Sequence, residues 1–320
     1  MPSRKIVKSK RFFEEDFEEN IAEVSTEKYP AWEKNEKLQY VGKPVARIDG
    51  YDKVSGTARY AFDIKIPKLT QAKILRCPYP HAKITKIDIS RAMALPGVFD
   101  IITHQNTPKI EWYYVSFLFD PHLRYQGDEV ACVAAESEEV AEKALKLIEV
   151  EYEELPFVVD AGQAMKEDAP KFYEGSNLVR GKPSEYERGN VQQGFEEADF
   201  VIEGTYTTQV EIHNPTEPHC SVVNWDGDQL TVWDSTQAVF RVRESLADAL
   251  GIPQSKIRII KEYMGGGFGS KLEAGKYTMM AALLARRIGR PVRISLDRRE
   301  MNLAVGNRPD SVQKLKAGIK

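Results

Sequence analysis

The sequence predicts an α+β fold in two successive parts, and two patterns support that prediction. In residues 38–156, short apolar runs are broken by glycine, proline and aspartate, which is typical of short strands and turns. In residues 189–320, alternating stretches are mixed with two longer stretches of helical period. The 320 residues are 42% hydrophobic and 29% charged, which suits ordinary packed cores and not a disordered or fibrous chain. We therefore expect two folded domains.

Residues 1–38 are predicted to be an N-terminal extension. They are rich in lysine and glutamate, with aromatic residues scattered among them. Residues 13–24 could form a short helix, although they lack a steady apolar stripe. Such a segment either docks on a folded body or stays poorly ordered.

The first predicted domain comprises residues 39–157. Its clearest part is a βαβ-like unit, with a strand at 130–135, an amphipathic helix at 137–148 and a second strand at 149–152. Proline, glycine, glutamate and lysine are frequent in residues 158–188, which is typical of an interdomain linker.

The second predicted domain comprises residues 189–320. Gly251 is placed to close its first long helix, with a proline just beyond. The expected elements, in order, are strands at 201–209 and 230–234, a helix at 240–250, a strand at 256–263, a helix at 275–288 and a strand at 292–296.

Charge and cysteine usage exclude several classes of function. The net charge of -3 and the pI near 6.1 provide no basic field for nucleic acid or anionic lipid. Neither an apolar signal segment nor a run of about 18 apolar residues is present. Cys77, Cys132 and Cys220 are too far apart to predict a metal clip or a disulfide framework. We expect a cytoplasmic protein with neither nucleic acid nor membrane as a partner.

A glycine-rich loop at residues 265–271 (GGGFGSK) lies between a predicted strand and a predicted helix. Ordering three consecutive glycines is entropically costly, so a group that must approach the backbone closely would explain them. The N-terminus of a following helix would favour an anion. A plain tight turn explains the loop about equally well, whereas the spacing fits neither a Walker A loop nor a GxGxxG site.

Several motifs, taken in order, resemble the large subunits of the xanthine dehydrogenase/aldehyde oxidase family. Residues 264–271 (MGGGFGSK) are similar to the family's MGGGFGGK loop, and residues 235–237 are its STQ motif, with Gln237 standing 31 residues before Phe268. The resemblance covers residues 40–320 and includes HNPTEPH at 213–219, RID at 47–49, KVSGTARY at 53–60, PHA at 80–82, GDEV at 127–130 and EGTY at 203–206.

This resemblance implies an α/β hammerhead domain followed by part of a molybdenum-cofactor-binding α+β domain. In the family, the glutamine of STQ and the backbone N–H of the phenylalanine hydrogen-bond an oxygen ligand of molybdenum. These roles fall on Gln237 and Phe268, which would not ligate the metal directly. Gly266, Gly267 and Gly269 would permit close approach of the cofactor, which is molybdopterin or its cytosine dinucleotide.

The sequence gives weaker indications of a role for four further polar residues. His213, Glu217 and His219 could superficially suit zinc, but the resemblance makes their segment a structural one near the cofactor, and we assign them no catalytic role. Lys271 is expected to be exposed at a helix start, with support of the loop or of a phosphate as the alternative.

The implied function is that of a molybdenum hydroxylase subunit, an enzyme that uses water as its oxygen source. Purine-oxidising members carry a substrate-binding glutamate where this chain has Leu272, so an aldehyde, aromatic or N-heterocyclic substrate is expected. No catalytic residue is expected here, because family subunits continue well beyond this length and the base is in that later part. The chain would be a split subunit or a fragment.

The expected partners are a second molybdopterin-binding chain, an iron–sulfur subunit with [2Fe–2S] clusters and an FAD subunit. Two alternatives stay open. One is a carbon monoxide dehydrogenase-like or aromatic acyl-CoA reductase-like member of the same superfamily. The other is a non-catalytic scaffold with the same fold.

Overall fold

The computed structural model describes residues 4–13, 16–25, 36–112, 116–173, 175–178, 181–186 and 188–320, which form two compact units. The first unit is Met1–Val54 and the second is Ser55–Lys320. None of the helices within the described residues has the length and apolar character that a membrane span requires.

The first unit contains an antiparallel hairpin of β1 (Arg4–Phe13) and β2 (Asp16–Ser25). Helix α1 (Gly50–Ser55) begins near the C-terminal end of this unit. The predicted helix at 13–24 is therefore wrong. A short helix without a steady apolar stripe is marginal by itself, whereas the two strands pair over all ten residues of each and exchange backbone hydrogen bonds at alternate pairs.

The second unit contains all the remaining elements. They are β3 (Thr70–Arg76), β4 (Ala82–Asp88), α2 (Ser90–Met93), β5 (Val98–Thr103), β6 (Glu111–Trp112), β7 (Ser116–Phe117), β8 (His122–Leu123), β9 (Glu129–Ala135), α3 (Glu138–Leu145), β10 (Glu149–Glu154), α4 (Ala161–Ala164), α5 (Val191–Glu196), β11 (Phe200–Thr208), β12 (Cys220–Asp226), β13 (Gln229–Asp234), α6 (Val239–Leu250), β14 (Ile257–Ile260), α7 (Lys276–Ile288), β15 (Val292–Ser295), α8 (Arg298–Ala304) and β16 (Ser311–Ile319).

A mixed seven-stranded sheet joins the regions predicted as separate domains. Its strand order is β14-β13-β12-β15-β3-β9-β5, and the parallel pair of β15 with β3 connects the later strands to the earlier ones. The sheet thus contains strands from both sides of the predicted linker. The domain boundaries remain predictions. The sequence did not predict that strands from both regions would form one sheet.

The predicted βαβ-like unit has its three elements but not one common sheet. Strand β10 pairs with β4 in a separate three-stranded sheet of order β10-β4-β8. One side of β10 stays exposed, as its alternating glutamates require, whereas β9 is buried along its whole length. The two strands therefore differ both in burial and in the sheet to which they belong.

Two apolar cores flank β9. Cys132 and Ala134 face a cluster that includes α6 and α7, whereas Ala131 and Val133 face a cluster that includes α3 and β4. Because successive side chains of a strand point to opposite faces, one strand supplies both cores. Helix α7 is buried over most of its surface and packs against β12, β15 and β5.

The predicted ends of α6 and α7 are confirmed, and the start of α3 has a serine cap. Ser137 caps α3 by accepting a hydrogen bond from the Val140 N–H. Gly251 and Gly289 close α6 and α7 in the left-handed conformation, each with φ of 63°.

Candidate cofactor site and adjoining cavity

The STQ motif follows directly after β13 and is anchored on both sides. The Ser235 hydroxyl accepts a hydrogen bond from the Cys220 N–H at 2.9 Å. The Thr236 hydroxyl donates to the Lys271 carbonyl at 3.0 Å, and the Gln237 N–H donates to the same carbonyl at 2.7 Å. The motif is thereby fixed against the glycine-rich loop, although 34 residues separate Gln237 from Lys271.

The side chain of Gln237 is oriented by the loop. Its Oε1 accepts hydrogen bonds from the N–H groups of Gly269 at 2.8 Å and Lys271 at 3.4 Å. Two N–H donors on one side identify that atom as the oxygen and turn Nε2 away from the loop. Among the described residues Nε2 has no hydrogen-bond partner, so its two N–H groups are available to a ligand.

The loop itself is held in a close-packed, left-handed conformation. Gly266 has φ of 107°, and Phe268 has φ of 52°, which is uncommon for a residue with a side chain. A Cβ at Gly267 would overlap Gln237 Oε1 and Met264 Cε, so any side chain there would displace both of them. Phe268 is 72% exposed, and its N–H has no acceptor among the described residues.

Beneath the loop, Lys271 is fully buried and paired with Glu217. Its ammonium group donates to the Glu217 carbonyl at 2.9 Å, the Glu217 carboxylate at 3.2 Å and the Pro218 carbonyl at 3.4 Å. Three acceptors satisfy its three N–H groups. Burial lowers the pKa of Lys271, and the Glu217 carboxylate opposes that shift. The expected exposure of Lys271 is therefore wrong, whereas the alternative of loop support is confirmed.

The HNPTEPH segment (residues 213–219) supplies Glu217 and makes further contacts with the loop. The Glu217 carboxylate also accepts a hydrogen bond from the Gly265 N–H at 2.8 Å, and a Cβ at Gly265 would lie 2.5 Å from Glu217 Cβ. His219 lies beside the Ser270 carbonyl at 3.2 Å, and burial lowers its pKa to about 4. Within the described part of the chain, no group of three or more His, Cys, Asp or Glu is placed to hold a metal ion.

The helix predicted at 275–288 is confirmed as α7, with Gly275 as its N-cap. It begins at Lys276, one residue later than predicted, after the turns of residues 268–273. The N–H donors that the loop offers therefore come from its own backbone and from Gln237. The positive end of the helix is not immediately behind them.

A cavity of about 660 Å³ adjoins the loop. Leu272, 45% exposed, lies in its wall beside Gly269 and Ser270. The rest of the wall includes His213, His219, Trp112, Tyr125, Tyr173, Tyr277, Leu303 and residues 305–307. The predicted substrate-pocket residue and the predicted cofactor loop therefore border the same space.

The sequence did not reveal a charged network in the same wall. Arg76 contacts Glu129 at 3.0 Å and Glu300 at 2.8 Å, and Lys276 contacts Glu129 at 2.9 Å and Asp128 at 3.2 Å. Burial opposes charge on Glu129, but its two cationic neighbours lower its pKa overall. The GDEV motif contains Asp128 and Glu129, and its pairing partners are too distant in sequence to be recognised there.

The exposed side of the loop fits a molybdenum cofactor chemically. Gln237 and Phe268 offer neutral N–H donors, which can hydrogen-bond a ligand without competing to ligate its metal. The missing side chain at Gly267 leaves room for the Gln237 carboxamide, whereas a Cβ at Gly269 would meet only His213, at 3.8 Å, so the loop is open at that position. All five predicted cofactor-binding residues thus lie in one arrangement.

Comparisons with known proteins agree with this chemistry. Residues 55–156 match the family described as aldehyde oxidase and xanthine dehydrogenase, a/b hammerhead domain, and residues 172–320 match the family described as molybdopterin cofactor-binding domain. The solved quinoline 2-oxidoreductase from Pseudomonas putida 86 matches with a TM-score of 0.77 and 28% identity, over 86% of this chain and 37% of that one.

This chain matches only part of the length of two curated relatives. The xanthine dehydrogenase molybdenum-binding subunit of Escherichia coli is 37% identical over 82% of this chain and 37% of its own length. The nicotinate dehydrogenase large molybdopterin subunit of Eubacterium barkeri is 34% identical over 88% of this chain and 67% of its own length. The chain thus spans little more than a third of the first relative and two thirds of the second. With both of its family domains in order, this chain belongs to the xanthine dehydrogenase/aldehyde oxidase family of molybdopterin-binding proteins.

Proposed function

We propose that this chain supplies the Gln237 and Phe268 side of the cofactor site in a molybdenum hydroxylase. The observation that carries the proposal is the orientation of the Gln237 carboxamide. Its oxygen accepts from Gly269 and Lys271, so its Nε2 donors face away from the loop, and both Gln237 and Phe268 are exposed. Donors held in advance lose little freedom when they bind a ligand, which favours a fixed cofactor position.

The bound cofactor would supply the redox chemistry, and the residues of this chain would bind and orient it. Gly269 would admit it to the backbone and Gly267 would leave room for the Gln237 carboxamide, while the buried Lys271 would keep the loop in place from below. We propose no catalytic residue in this chain. The base that accepts a proton would come from another part of the subunit.

The substrate class follows from the cavity wall. Leu272 presents an apolar side chain where a hydrogen-bonding carboxylate would be required to hold a purine ring. Trp112, Tyr125, Tyr173 and Tyr277 also line the cavity. We therefore propose an aldehyde, aromatic or N-heterocyclic substrate. The quinoline 2-oxidoreductase and nicotinate dehydrogenase matches are consistent with such a ring system.

The proposed complex includes a second molybdopterin-binding chain, an iron–sulfur subunit and an FAD subunit. Cys77, Cys132 and Cys220 are free and buried in this chain. A [2Fe–2S] cluster normally requires four thiolates, so electrons would leave through partner chains. The cytoplasmic location stays a prediction.

The proposal is tested on the complex purified from its native host. We expect molybdenum by metal analysis and a pterin by fluorescence after oxidative release. Gln237→Ala should keep the subunits together while turnover falls about 10- to 100-fold, the usual cost of removing an outer-shell contact. Gln254→Ala, which changes an exposed glutamine in the same region, is the matched control.

Two results would contradict the proposal. The absence of both molybdenum and pterin from the complex would contradict the proposed enzymatic function. Undiminished turnover and cofactor content in Gln237→Ala would show that Gln237 does not bind the cofactor.

A further inference from the structure

A buried aspartate directly precedes the STQ motif. Asp234 is the last residue of β13 and is only 2% exposed. Its partner across the hairpin is Ser221 of β12, and its side chain also contacts Thr278 in the first turn of α7. These three residues therefore connect the strand that leads into the motif with its neighbouring strand and with the helix that follows the glycine-rich loop.

Three side-chain oxygens form a closed triangle at this point. Asp234 Oδ2 is within hydrogen-bond distance of the hydroxyl oxygens of Ser221 and Thr278, the latter at 2.8 Å. The two hydroxyl oxygens are themselves 2.7 Å apart. Because none of the three residues is more than 2% exposed, the triangle is closed to bulk water.

The number of protons in the triangle determines the state of the carboxyl group. A hydroxyl carries one proton, whereas an ionised carboxylate has none to donate. If Asp234 were ionised, Ser221 and Thr278 would both donate to it, and their own contact would bring two lone pairs together. If the carboxyl is protonated, each of the three oxygens donates once and accepts once. The third proton must therefore come from Asp234.

The surroundings of Asp234 also favour its neutral form. Burial raises its pKa to about 6, against a weaker attraction from the Lys271 charge, which Glu217 opposes. A hydrogen bond that the carboxyl itself donates exists only in the neutral form and raises the pKa further. The other titratable neighbours are Cys220 and Tyr277, and burial raises the pKa of both, so they stay uncharged.

The triangle is connected both to the cavity and to the candidate cofactor site. The Tyr277 hydroxyl has the side chains of Thr278 and Ser235 as hydrogen-bond partners, and the Tyr277 ring lies in the cavity wall. Ser235 follows Asp234 directly and begins the motif that ends in Gln237. A displacement at the triangle would therefore be passed along the motif to Gln237.

We infer that Asp234 is held as a neutral carboxylic acid and thereby positions the STQ motif against α7, and its effect on the cofactor site rests on the proposed function. Asp234 is a positioning residue, since it acts through Ser235 and Gln237 and would not touch the cofactor. Loss of its proton would open the triangle, because the contact between the two hydroxyls would then lack a proton. The order of the motif should decline as the pH rises and Asp234 ionises.

The protonation state is tested on the full chain by denaturation at several pH values. A carboxyl whose pKa is higher in the folded than in the unfolded state stabilises fully below about pH 4, and that stability is lost as the pH rises to the folded pKa. Asp234→Asn is the reference, because its amide is neutral at every pH and can donate to both hydroxyls. Relative to it, the unfolding equilibrium constant of wild type should rise about 10-fold per pH unit over this range.

An infrared measurement detects the proton directly. The carbonyl stretch of a protonated carboxyl is distinct from the bands of a carboxylate. At about pH 5.5, above the ordinary aspartate pKa, the difference spectrum between wild type and Asp234→Asn should contain an acid band that shifts in heavy water. The control is Asp226→Asn, an exposed aspartate near the turn of the same hairpin. Its difference spectrum should contain carboxylate bands alone.

The positioning role is tested in the assembled complex. Asp234→Ala removes one corner of the triangle and should lower turnover about 10-fold or more, whereas Asp234→Asn should retain it. The turnover of wild type divided by that of Asp234→Asn should fall as the pH rises and Asp234 ionises. A side chain that only filled space would leave this ratio constant.

The outcomes separate this inference from the proposed function. Parallel pH dependence of stability in wild type and Asp234→Asn, or the absence of an acid band, overturns the neutral state of Asp234. A constant turnover ratio overturns the positioning role. A complex with neither molybdenum nor pterin overturns the proposed function together with that role, while the protonation state is decided on the chain alone. An acid band, the expected pH dependence and a falling ratio together support the inference.

Discussion

The two sides of the loop at residues 265–271 differ sharply in their surroundings. On the inner side, the Lys271 ammonium is buried with three acceptors and a paired carboxylate. On the outer side, Phe268 is exposed and the Gln237 amide donors have no partner among the described residues. The difference indicates a division of roles, because a rigid inner side lets the outer donors hold their positions before a ligand arrives.

Removal of the buried Lys271 cation on the inner side should have the largest effect on stability. Lys271→Met keeps an apolar side chain of similar length but leaves the Glu217 carboxylate buried without its cation. Loss of one partner of a buried ion pair usually costs about 3–5 kcal/mol. We expect a fall of that size in the free energy of unfolding, measured by guanidinium denaturation with tryptophan fluorescence.

Two controls accompany this measurement. Lys271→Met combined with Glu217→Gln should be less destabilising than Lys271→Met alone, since the uncompensated charge is gone. Arg241→Met removes an exposed ion pair with Glu273 near the loop and should cost at most about 1 kcal/mol. If Lys271→Met were no more destabilising than Arg241→Met, the inner side would not be the anchor.

Disturbing the contact between the two sides should have the next largest effect. In Gly267→Ala the added Cβ would lie 2.4 Å from Gln237 Oε1 and 2.5 Å from Met264 Cε, so the glutamine must move. We expect turnover of the assembled complex to fall about 10- to 100-fold, as for Gln237→Ala. The double variant should be no worse than either single one, because both remove the same donor.

The control for that substitution is Gly194→Ala in α5. A Cβ at Gly194 meets nothing within 4 Å, so turnover should be unchanged. The alanine should stabilise the protein slightly, by about 0.4–1 kcal/mol, through the unfolded state. Wild-type turnover in Gly267→Ala would show that the close approach of loop and glutamine is dispensable.

The sequence predicted the outer side of the loop far better than the inner side. Gln237 and the glycines belong to short motifs with a recognisable spacing, and their proposed roles depend on backbone geometry that the motif itself encodes. Lys271 and Glu217 are 54 residues apart, and nothing local to either residue signals their pairing. Lys271 was therefore expected to be exposed, since burial of a lysine is rare without a partner.

The same limit applies to the fold. Local signals such as the glycines after α6 and α7 predicted helix ends well, because capping depends on neighbouring residues. Sheet membership depends on partners distant in sequence. The βαβ-like unit was consequently placed in one sheet, and the parallel contact of Val292 with Thr70, which joins the two regions, was not foreseen.

The inner side should also impart a pH dependence to stability. The folded protein lowers the pKa of His219 to about 4, chiefly through burial and next through the Lys271 charge, whereas the ordinary value is 6.5. The unfolded chain thus binds a proton as the pH falls below 6.5 while the folded chain does not, and stability is lost over that range. Between pH 6.5 and 5 this loss amounts to about 2 kcal/mol.

The measurement compares wild type with His219→Gln by denaturation at several pH values. Glutamine can still donate to the Ser270 carbonyl, so the variant should fold but show a flatter dependence in this range. Asp234, whose pKa burial raises to about 6, acts in the opposite direction as the pH falls, but it is present in both proteins and cancels in the difference. Parallel curves for the two proteins would mean that His219 is solvated in the folded state.

On the outer side, the smallest expected effect concerns the choice of substrate at Leu272. Leu272→Glu places a carboxylate in the cavity wall, where it can accept hydrogen bonds from a purine ring, whereas Leu272→Met keeps the wall apolar. Because the position is 45% exposed, we expect a gain of only about 1 kcal/mol. The ratio of kcat/KM for hypoxanthine to that for benzaldehyde should therefore rise about 5-fold in the glutamate variant and stay unchanged in the methionine variant. An equal ratio in all three proteins would place the substrate away from this wall and restrict the role of the outer side to holding the cofactor.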